Sequence, residues 1–347
     1  MSGEILAIRP RALGDVVLTT PALRALHRGH PDAVLEVATE LRYAALLEGL
    51  PAVGRVLSMG RDRDATAQLA GEIRRRRYAK VVDFFCNPRT ALLTWASGAR
   101  QTFGYDVRGR RFAYRIRVPR DPDRAGERRE YAAATHVRLA CAAGGVEDGL
   151  EARVSFPASA GVEAERLLDR AGVREPGRAL GLVAAGTWRT KTWPASHAAS
   201  FARAVRAAGR ELLLLAGPGE ERLTAFFARF VPELRVLPPC DVGALAAVIS
   251  RLGGVVGTDS GPRHLAAALG VPTFAWFGPT HPDNWTPAGP EHAVWWTSLP
   301  CRGCGRTSCQ HWNCLPGLHP ERAADLALQH FERHARTTAD LGPAARA

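Results

Sequence analysis

Three short segments carry residue types suited to an anionic substrate. The first, Arg9-Pro-Arg-Ala-Leu-Gly-Asp15, follows the apolar run Ile5–Ile8, and the sequence reads as helix from Val16 onward, with Thr20-Pro21 fitting an N-cap and a first-turn proline. Asp15 then stands at the carboxyl end of a strand, the edge at which open α/β sheets bind ligands. A carboxylate there has two uses, capping a helix or accepting a proton. The second segment, Asp259-Ser260-Gly261-Pro262-Arg263-His264, follows the strand-like Gly254–Thr258 and opens an apolar helix. Ser260 suits the N-cap and Pro262 the first turn, so free amides and the positive helix end make an anion site. Capping accounts for Ser260 and Pro262 but leaves His264 unmotivated. The third segment is Gly186-Thr-Trp-Arg-Thr-Lys-Thr-Trp-Pro194. Of 46 basic residues only Lys80 and Lys191 are lysines, so the compact ammonium in this loop needs a reason. A loop after a parallel strand reaches the same edge as Ser260, and Lys191 can meet the same phosphate. A further loop, Gly217-Pro-Gly-Glu-Glu221, can offer a carboxylate to ribose hydroxyls. It has two glycines of a dinucleotide fingerprint and lacks the third, which gives a hydride-transfer cofactor little support.

Loops brought to a common edge require a sheet. Apolar runs at Ile5–Ile8, Val34–Val37, Val81–Phe84 and Thr102–Tyr105 alternate with helix-length segments. After a helical stretch within Phe156–Gly177, a second series follows at Leu180–Ala184, Leu212–Ala216, Val255–Thr258 and Thr273–Trp276. This is the rhythm of parallel α/β sheets. The 347 residues, 46% hydrophobic and 23% charged, suffice for two such domains. The expected division is residues 1–156, a connecting region 157–177, a second domain 178–319, a terminal helix 320–336 and a tail 337–347.

The net charge of +12 raises nucleic acid as a partner. No recognition helix, zinc-finger spacing or aromatic ribonucleoprotein motif accompanies it, so no nucleic acid is expected. Up to position 155 there are 26 basic and 18 acidic residues, an excess of +8 concentrated in Arg100–Arg129, where Arg108, Arg110, Arg111, Arg124 and Arg128 lie. Such a run is either a solvated surface or an anion-binding face. The amino-terminal residues lack the pattern of a secretory signal, which suggests the cytoplasm. The longest uncharged run, His264–Pro282, is interrupted by glycines and prolines and does not read as a membrane helix. Cys301, Cys304, Cys309 and Cys314 fall within fourteen residues. They could close around a structural zinc or iron, or remain free or partly oxidised thiols; the spacing is not that of a two-knuckle zinc site.

Leu13-Gly-Asp-Val-Val-Leu-Thr-Thr-Pro-Ala22, Lys191-Thr-Trp-Pro194, Gly217-Pro-Gly-Glu-Glu221, the run from Thr258 to Pro272 and Phe277-Gly-Pro-Thr280 together resemble the ADP-heptose:lipopolysaccharide heptosyltransferases, glycosyltransferase family 9. The resemblance extends from Ile5 to about Phe331. It implies a GT-B fold, two Rossmann-like domains facing across a cleft, the first for the acceptor and the second for the nucleotide sugar, with the final helix packing back toward the first. It further implies Asp15 as catalytic base, Thr187 and Lys191 as phosphate contacts, Glu220 (or Glu221) as a ribose contact, and Cys240 at the adenine pocket. Asp259, Ser260, Gly261 and His264 match the loop that holds the diphosphate and sugar. Because a carboxylate beside a diphosphate would repel it, the Asp259 carboxylate is expected on sugar hydroxyls or loop amides. The implied chemistry is inverting transfer from an ADP-sugar, without a catalytic cofactor, to an anionic glycan or glycolipid met by Arg108, Arg110 and Arg111, at the inner face of the cell membrane. Two other readings fit parts of the sequence: a GT-B-like sugar-nucleotide epimerase or hydrolase, and a nucleic-acid-binding protein.

Overall fold

The structure, a computed structural model, describes residues 3–121 and 129–336; Arg124, Arg128 and the tail 337–347 lie outside the described residues. The chain divides into two compact units, the first ending at Phe156 and the second beginning at Pro157.

The first unit runs β1 (Ile5–Ile8), α1 (Leu13–Gly29), β2 (Leu35–Thr39), β3 (Arg55–Ser58), α2 (Arg63–Arg76), β4 (Lys80–Asp83), α3 (Pro88–Ala96), β5 (Gln101–Tyr105), β6 (Ile116–Val118) and α4 (Ala132–Ala142). Its six parallel strands lie in the order β3-β2-β1-β4-β5-β6. Helix α1 packs with α4 and α2 with α3, one pair for each face, so β1 is buried on both sides and reads as an unbroken apolar run. Helix α1 begins at Leu13, earlier than the sequence suggested, and Pro21 lies inside it. The proline ring leaves the Val17 carbonyl without its helical donor, and the Thr20 hydroxyl supplies one at 2.8 Å. Thr20-Pro21 is thus an internal repair, not a helix start.

The second unit runs α5 (Ala158–Ala171), β7 (Leu180–Val183), α6 (Ala195–Ala207), β8 (Leu212–Leu214), α7 (Glu221–Phe230), β9 (Arg235–Val236), α8 (Val242–Arg251), β10 (Gly254–Thr258), α9 (Gly261–Ala268), β11 (Thr273–Phe277), α10 (Pro282–Trp285), β12 (His292–Trp296) and α11 (Pro320–Arg333). Its parallel order β12-β11-β10-β7-β8-β9 is the first sheet's order repeated. Both are the doubly wound Rossmann arrangement, whose ligand crevice opens where strand order reverses, here between β1 and β4 and between β7 and β10. The helix α5, in the expected connecting region, packs on α8. The helix expected to turn back toward the first unit, α11, buries its apolar face within the second: Ala323, Ala324, Ala327 and Phe331 join the core beside α6, and Phe331 rests on Gly254. No helix among the described residues is long and apolar enough to cross a membrane.

Candidate active site

At the switch point of the second sheet, two glycines set the approach of the loops. Gly257 of β10 pairs with Val183 of β7, and a Cβ there would stand 2.1 Å from the Val183 carbonyl oxygen. Beyond β7 the chain makes a 3-10 turn, Arg189–Lys191, that folds back on Gly186, where a Cβ would meet the Lys191 Cβ at 2.6 Å. The Thr258 hydroxyl donates to the Lys191 carbonyl, and the Gly186 amide donates to Thr192 Oγ1 at 3.0 Å. The outcome is a buried lysine whose Nζ lies 2.8 Å from Asp259 Oδ2 and 5.1 and 5.9 Å from the ring centres of Trp188 and Trp285.

Asp259 is the hub. Its Oδ2 also accepts the Thr280 hydroxyl at 2.9 Å, while Oδ1 faces His264 Nε2 at 3.5 Å and Arg263 Nη1 at 3.8 Å. Burial alone would raise this carboxyl; His264, Lys191 and Arg263 more than offset that and hold it well below the usual carboxylate range. The Asp259 carboxylate, expected on sugar hydroxyls or loop amides, is buried against these side chains. Its negative charge is outnumbered by the Lys191 and Arg263 cations, so the local field stays favourable to an anion. The His264 ring is pushed below its ordinary value by burial, partly countered by Asp259. Arg263 also donates to the Trp285 carbonyl and to Thr286 Oγ1, both at 3.0 Å, and so ties α9 to the end of α10. Ser260 occupies the N-cap position of α9 with extended backbone, as expected, but its hydroxyl makes no capping bond. Its Oγ is buried without a hydrogen-bond partner, next to Gly261 at the helix start.

The remaining donor-side residues lie in loops of the same unit. Thr187 is exposed. The two candidate ribose carboxylates differ: Glu221 is exposed and its Oε1 accepts the Gly219 amide at 3.0 Å, whereas Glu220 is half-buried and burial raises its carboxyl. Cys240 is exposed, just before Asp241, which caps α8 through the Ala244 amide at 2.8 Å.

The cysteine-bearing segment has a mechanical role. Among the described residues no group of three or more His, Cys, Asp or Glu side chains is gathered to hold a metal, so the zinc or iron considered at Cys301, Cys304, Cys309 and Cys314 finds no support there. All four are free thiols, two of them exposed. The backbone around them is committed elsewhere: the Gly303 and Gly305 amides donate to the Gly278 and Pro279 carbonyls, and the Arg306 carbonyl accepts the Thr190 hydroxyl at 2.8 Å. With Trp312 Nε1 donating to the Thr190 carbonyl at 3.3 Å, the segment straps the Lys191 turn in place.

In the first unit, Asp15 lies in the first turn of α1 at the β1/β4 switch point, about one-third exposed. Its Oδ1 is 2.6 Å from Arg9 Nη2, and Oδ2 accepts the Ala12 amide at 3.3 Å. The Ala12 contact is the end-capping use, and the carboxylate remains partly open to solvent. Of the three candidate acceptor arginines, Arg108 is exposed, Arg110 is partly exposed with one bond to the Arg108 carbonyl, and Arg111 forks onto Asp106 at 2.5 and 2.9 Å. Arg9, Arg263, Thr280, Trp188 and Trp285 escaped the sequence reading as site residues. Arg263 and Thr280 lay inside the quoted motifs, but nothing in a linear motif shows which carboxylate they face.

Two Rossmann-like units, each with a polar cluster at its switch point, define an α/β protein with the fold of GT-B glycosyltransferases. The model of glycosyltransferase family 9 (heptosyltransferase) matches residues 66–314, and the chain belongs to that family; it is a glycosyltransferase. Among curated proteins it is 28% identical to lipopolysaccharide heptosyltransferase 1 of Pseudomonas aeruginosa, over 89% of this chain and 88% of that one. Among solved structures it is similar to a glycosyl transferase family 9 protein of Veillonella parvula, with TM-score 0.81 and 20% identity over 96% of this chain and 99% of that one. The ADP-heptose lipopolysaccharide heptosyltransferase II of Escherichia coli gives TM-score 0.78 and 19% identity over 96% and 100%.

Proposed function

We propose that this glycosyltransferase moves a heptose, or a closely related sugar, from an ADP-sugar to an anionic lipopolysaccharide-core acceptor, with inversion at the anomeric carbon. The observation that carries the reading is the pairing, at one switch point, of the buried Lys191 ammonium with the unpartnered Ser260 hydroxyl at the start of α9. Lys191 has three N–H donors and Asp259 takes one, so others remain for phosphate oxygens. The amides at the start of α9 add a fixed positive potential.

In the proposed reaction the acceptor hydroxyl attacks the anomeric carbon on the face opposite the diphosphate, through an oxocarbenium-like state. Asp15 takes the hydroxyl proton, while Lys191, Ser260 and the α9 amides stabilise the charge that grows on departing ADP. Glu220 would hold the ribose, with Thr187 and Cys240 further contacts of the nucleotide. Arg108 and Arg110 would meet carboxylates or phosphates of the acceptor, which suits arginine's planar fork. Acting on an anionic glycolipid would put the protein at the cytoplasmic face of a membrane as a peripheral enzyme.

The test is transfer itself. ADP-heptose and a lipopolysaccharide-core acceptor should yield ADP and an acceptor heavier by one heptose, with anomeric configuration opposite to the donor's. Release of free sugar with no acceptor product would make the protein a hydrolase, and a changed sugar still bound to ADP would make it an epimerase.

A further inference from the structure

Arg9 is 2% exposed at the carboxyl end of β1, a costly place for a guanidinium unless its surroundings are fixed. They are fixed from β4. Asp83, the last residue of β4 and register partner of Ile8, is fully buried; its Oδ1 accepts the Phe85 and Cys86 amides, both at 2.9 Å, and its Oδ2 accepts the Tyr114 hydroxyl at 2.7 Å. Cys86 completes this turn in the left-handed region at φ 56°. The turn presents the Phe84 carbonyl to Arg9 Nη1 at 2.6 Å and sets the Phe85 ring centre 5.2 Å from the guanidinium carbon. Arg9 Nη2 is then left at 2.6 Å from Asp15 Oδ1. Among the described residues the other oxygen, Oδ2, has only the long 3.3 Å contact from the Ala12 amide.

We infer that Arg9 is a positioning residue for Asp15: held by the β4 turn, it occupies Oδ1 and presents Oδ2 as the oxygen that removes the acceptor's proton. The inference rests on the reading of Asp15 as the base. In that step the acceptor O–H bond breaks and the proton passes to Oδ2. The freed electron pair forms the bond to the anomeric carbon, and the bond from that carbon to the diphosphate breaks with its electrons leaving on ADP. Arg9 exchanges no proton in this step.

A double-mutant cycle tests this, with kcat for transfer measured in Arg9→Met, Asp15→Asn and the double variant, and thermal melting and ADP affinity followed in each. Arg9→Met should lower kcat by about 10²-fold, the scale of a roughly 1 Å misplacement, and leave ADP affinity unchanged. In the Asp15→Asn background the same substitution should change kcat by less than about threefold, because no base remains to be placed. Arg9→Lys keeps a buried cation and the fold but cannot span Phe84 and Asp15 as the fork does, and it should still lose about tenfold. Folded Arg9 variants with wild-type kcat, or an equal loss in both backgrounds, would overturn the positioning role. A fully active Asp15→Asn enzyme would instead overturn the base assignment, and that result appears without any change at Arg9.

Discussion

Replacing Lys191 by methionine separates what the lysine does for the fold from what it does for the ligand. Methionine keeps an apolar stem near the Trp188 and Trp285 rings and removes the charge 2.8 Å from Asp259. Orphaning one member of a buried pair costs about 3–5 kcal/mol. Here the Thr280 hydroxyl and the Arg263 guanidinium remain near the carboxylate, so the lower end, about 3 kcal/mol, is expected. For the ligand, a charge-assisted hydrogen bond is worth about 1.5–3 kcal/mol, or about a 10- to 150-fold weaker ADP Kd. Adding Asp259→Asn removes the orphaned charge and should restore much of the melting temperature without returning ADP affinity to the wild-type value. Lys80→Ala is the control: its ammonium joins His30 Nε2 at 3.0 Å and the Ala143 carbonyl at 2.8 Å, so melting should fall while ADP affinity holds. The assay is thermal melting paired with calorimetric ADP titration. A folded Lys191→Met protein with unchanged ADP affinity would refute the phosphate role.

Asp15→Asn keeps the side chain's shape but cannot take a proton, so kcat for transfer should fall by about 10²- to 10⁴-fold with ADP affinity retained; near-normal turnover would reduce Asp15 to a helix-end contact. Charge reversal at Arg108 and Arg110 should raise the acceptor KM, and more so at low salt, whereas Arg111→Ala should change it less because Arg111 is already forked onto Asp106; salt-insensitive acceptor kinetics would count against an anionic acceptor. Burial lowers the pKa of His136, His264 and His330 and brings His292 down to about 4. Between those values and about 6.5 the unfolded chain binds more protons than the folded one, so stability rises with pH across that window and is lost as pH falls through it. Denaturant midpoints at pH 7 and pH 5 check the sign, and equal midpoints would contradict it.

How much of this was legible in the sequence depended on burial. The inner strands of both sheets, β1, β2, β4 and β5, then β7, β8, β10 and β11, are covered on both faces and therefore appear as apolar runs within a residue or two of their observed ends. The four strands that were missed, β3, β6, β9 and β12, are the four sheet edges. They are two to five residues long, with arginines or half-buried side chains in place of a continuous apolar stretch. At the candidate site the motif from Asp259 to His264 and the isolated Lys191 were visible as chemistry. Their mutual contact was not, because it depends on Gly257 and Gly186 bringing two loops together across 68 positions. Ser260 was legible as an N-cap position but not as a hydroxyl left without a partner. The cysteine spacing left a metal loop and free thiols both open and gave no sign that the segment's glycine amides strap the β11 and Lys191 loops. Arg9 was overlooked because an arginine in an arginine-rich chain carries no mark of its burial.

The most direct test of the central claim, that the second unit binds an ADP-sugar through Lys191 and the start of α9, is a calorimetric titration of the full chain with ADP-heptose, ADP, UDP and GDP under the same conditions. Saturable one-site binding of ADP-heptose and ADP, much weaker binding of UDP and GDP, and an ADP affinity about 10- to 150-fold weaker in Lys191→Met are expected. Equal affinity for all three nucleoside diphosphates, or saturable binding that survives Lys191→Met intact, would contradict the account.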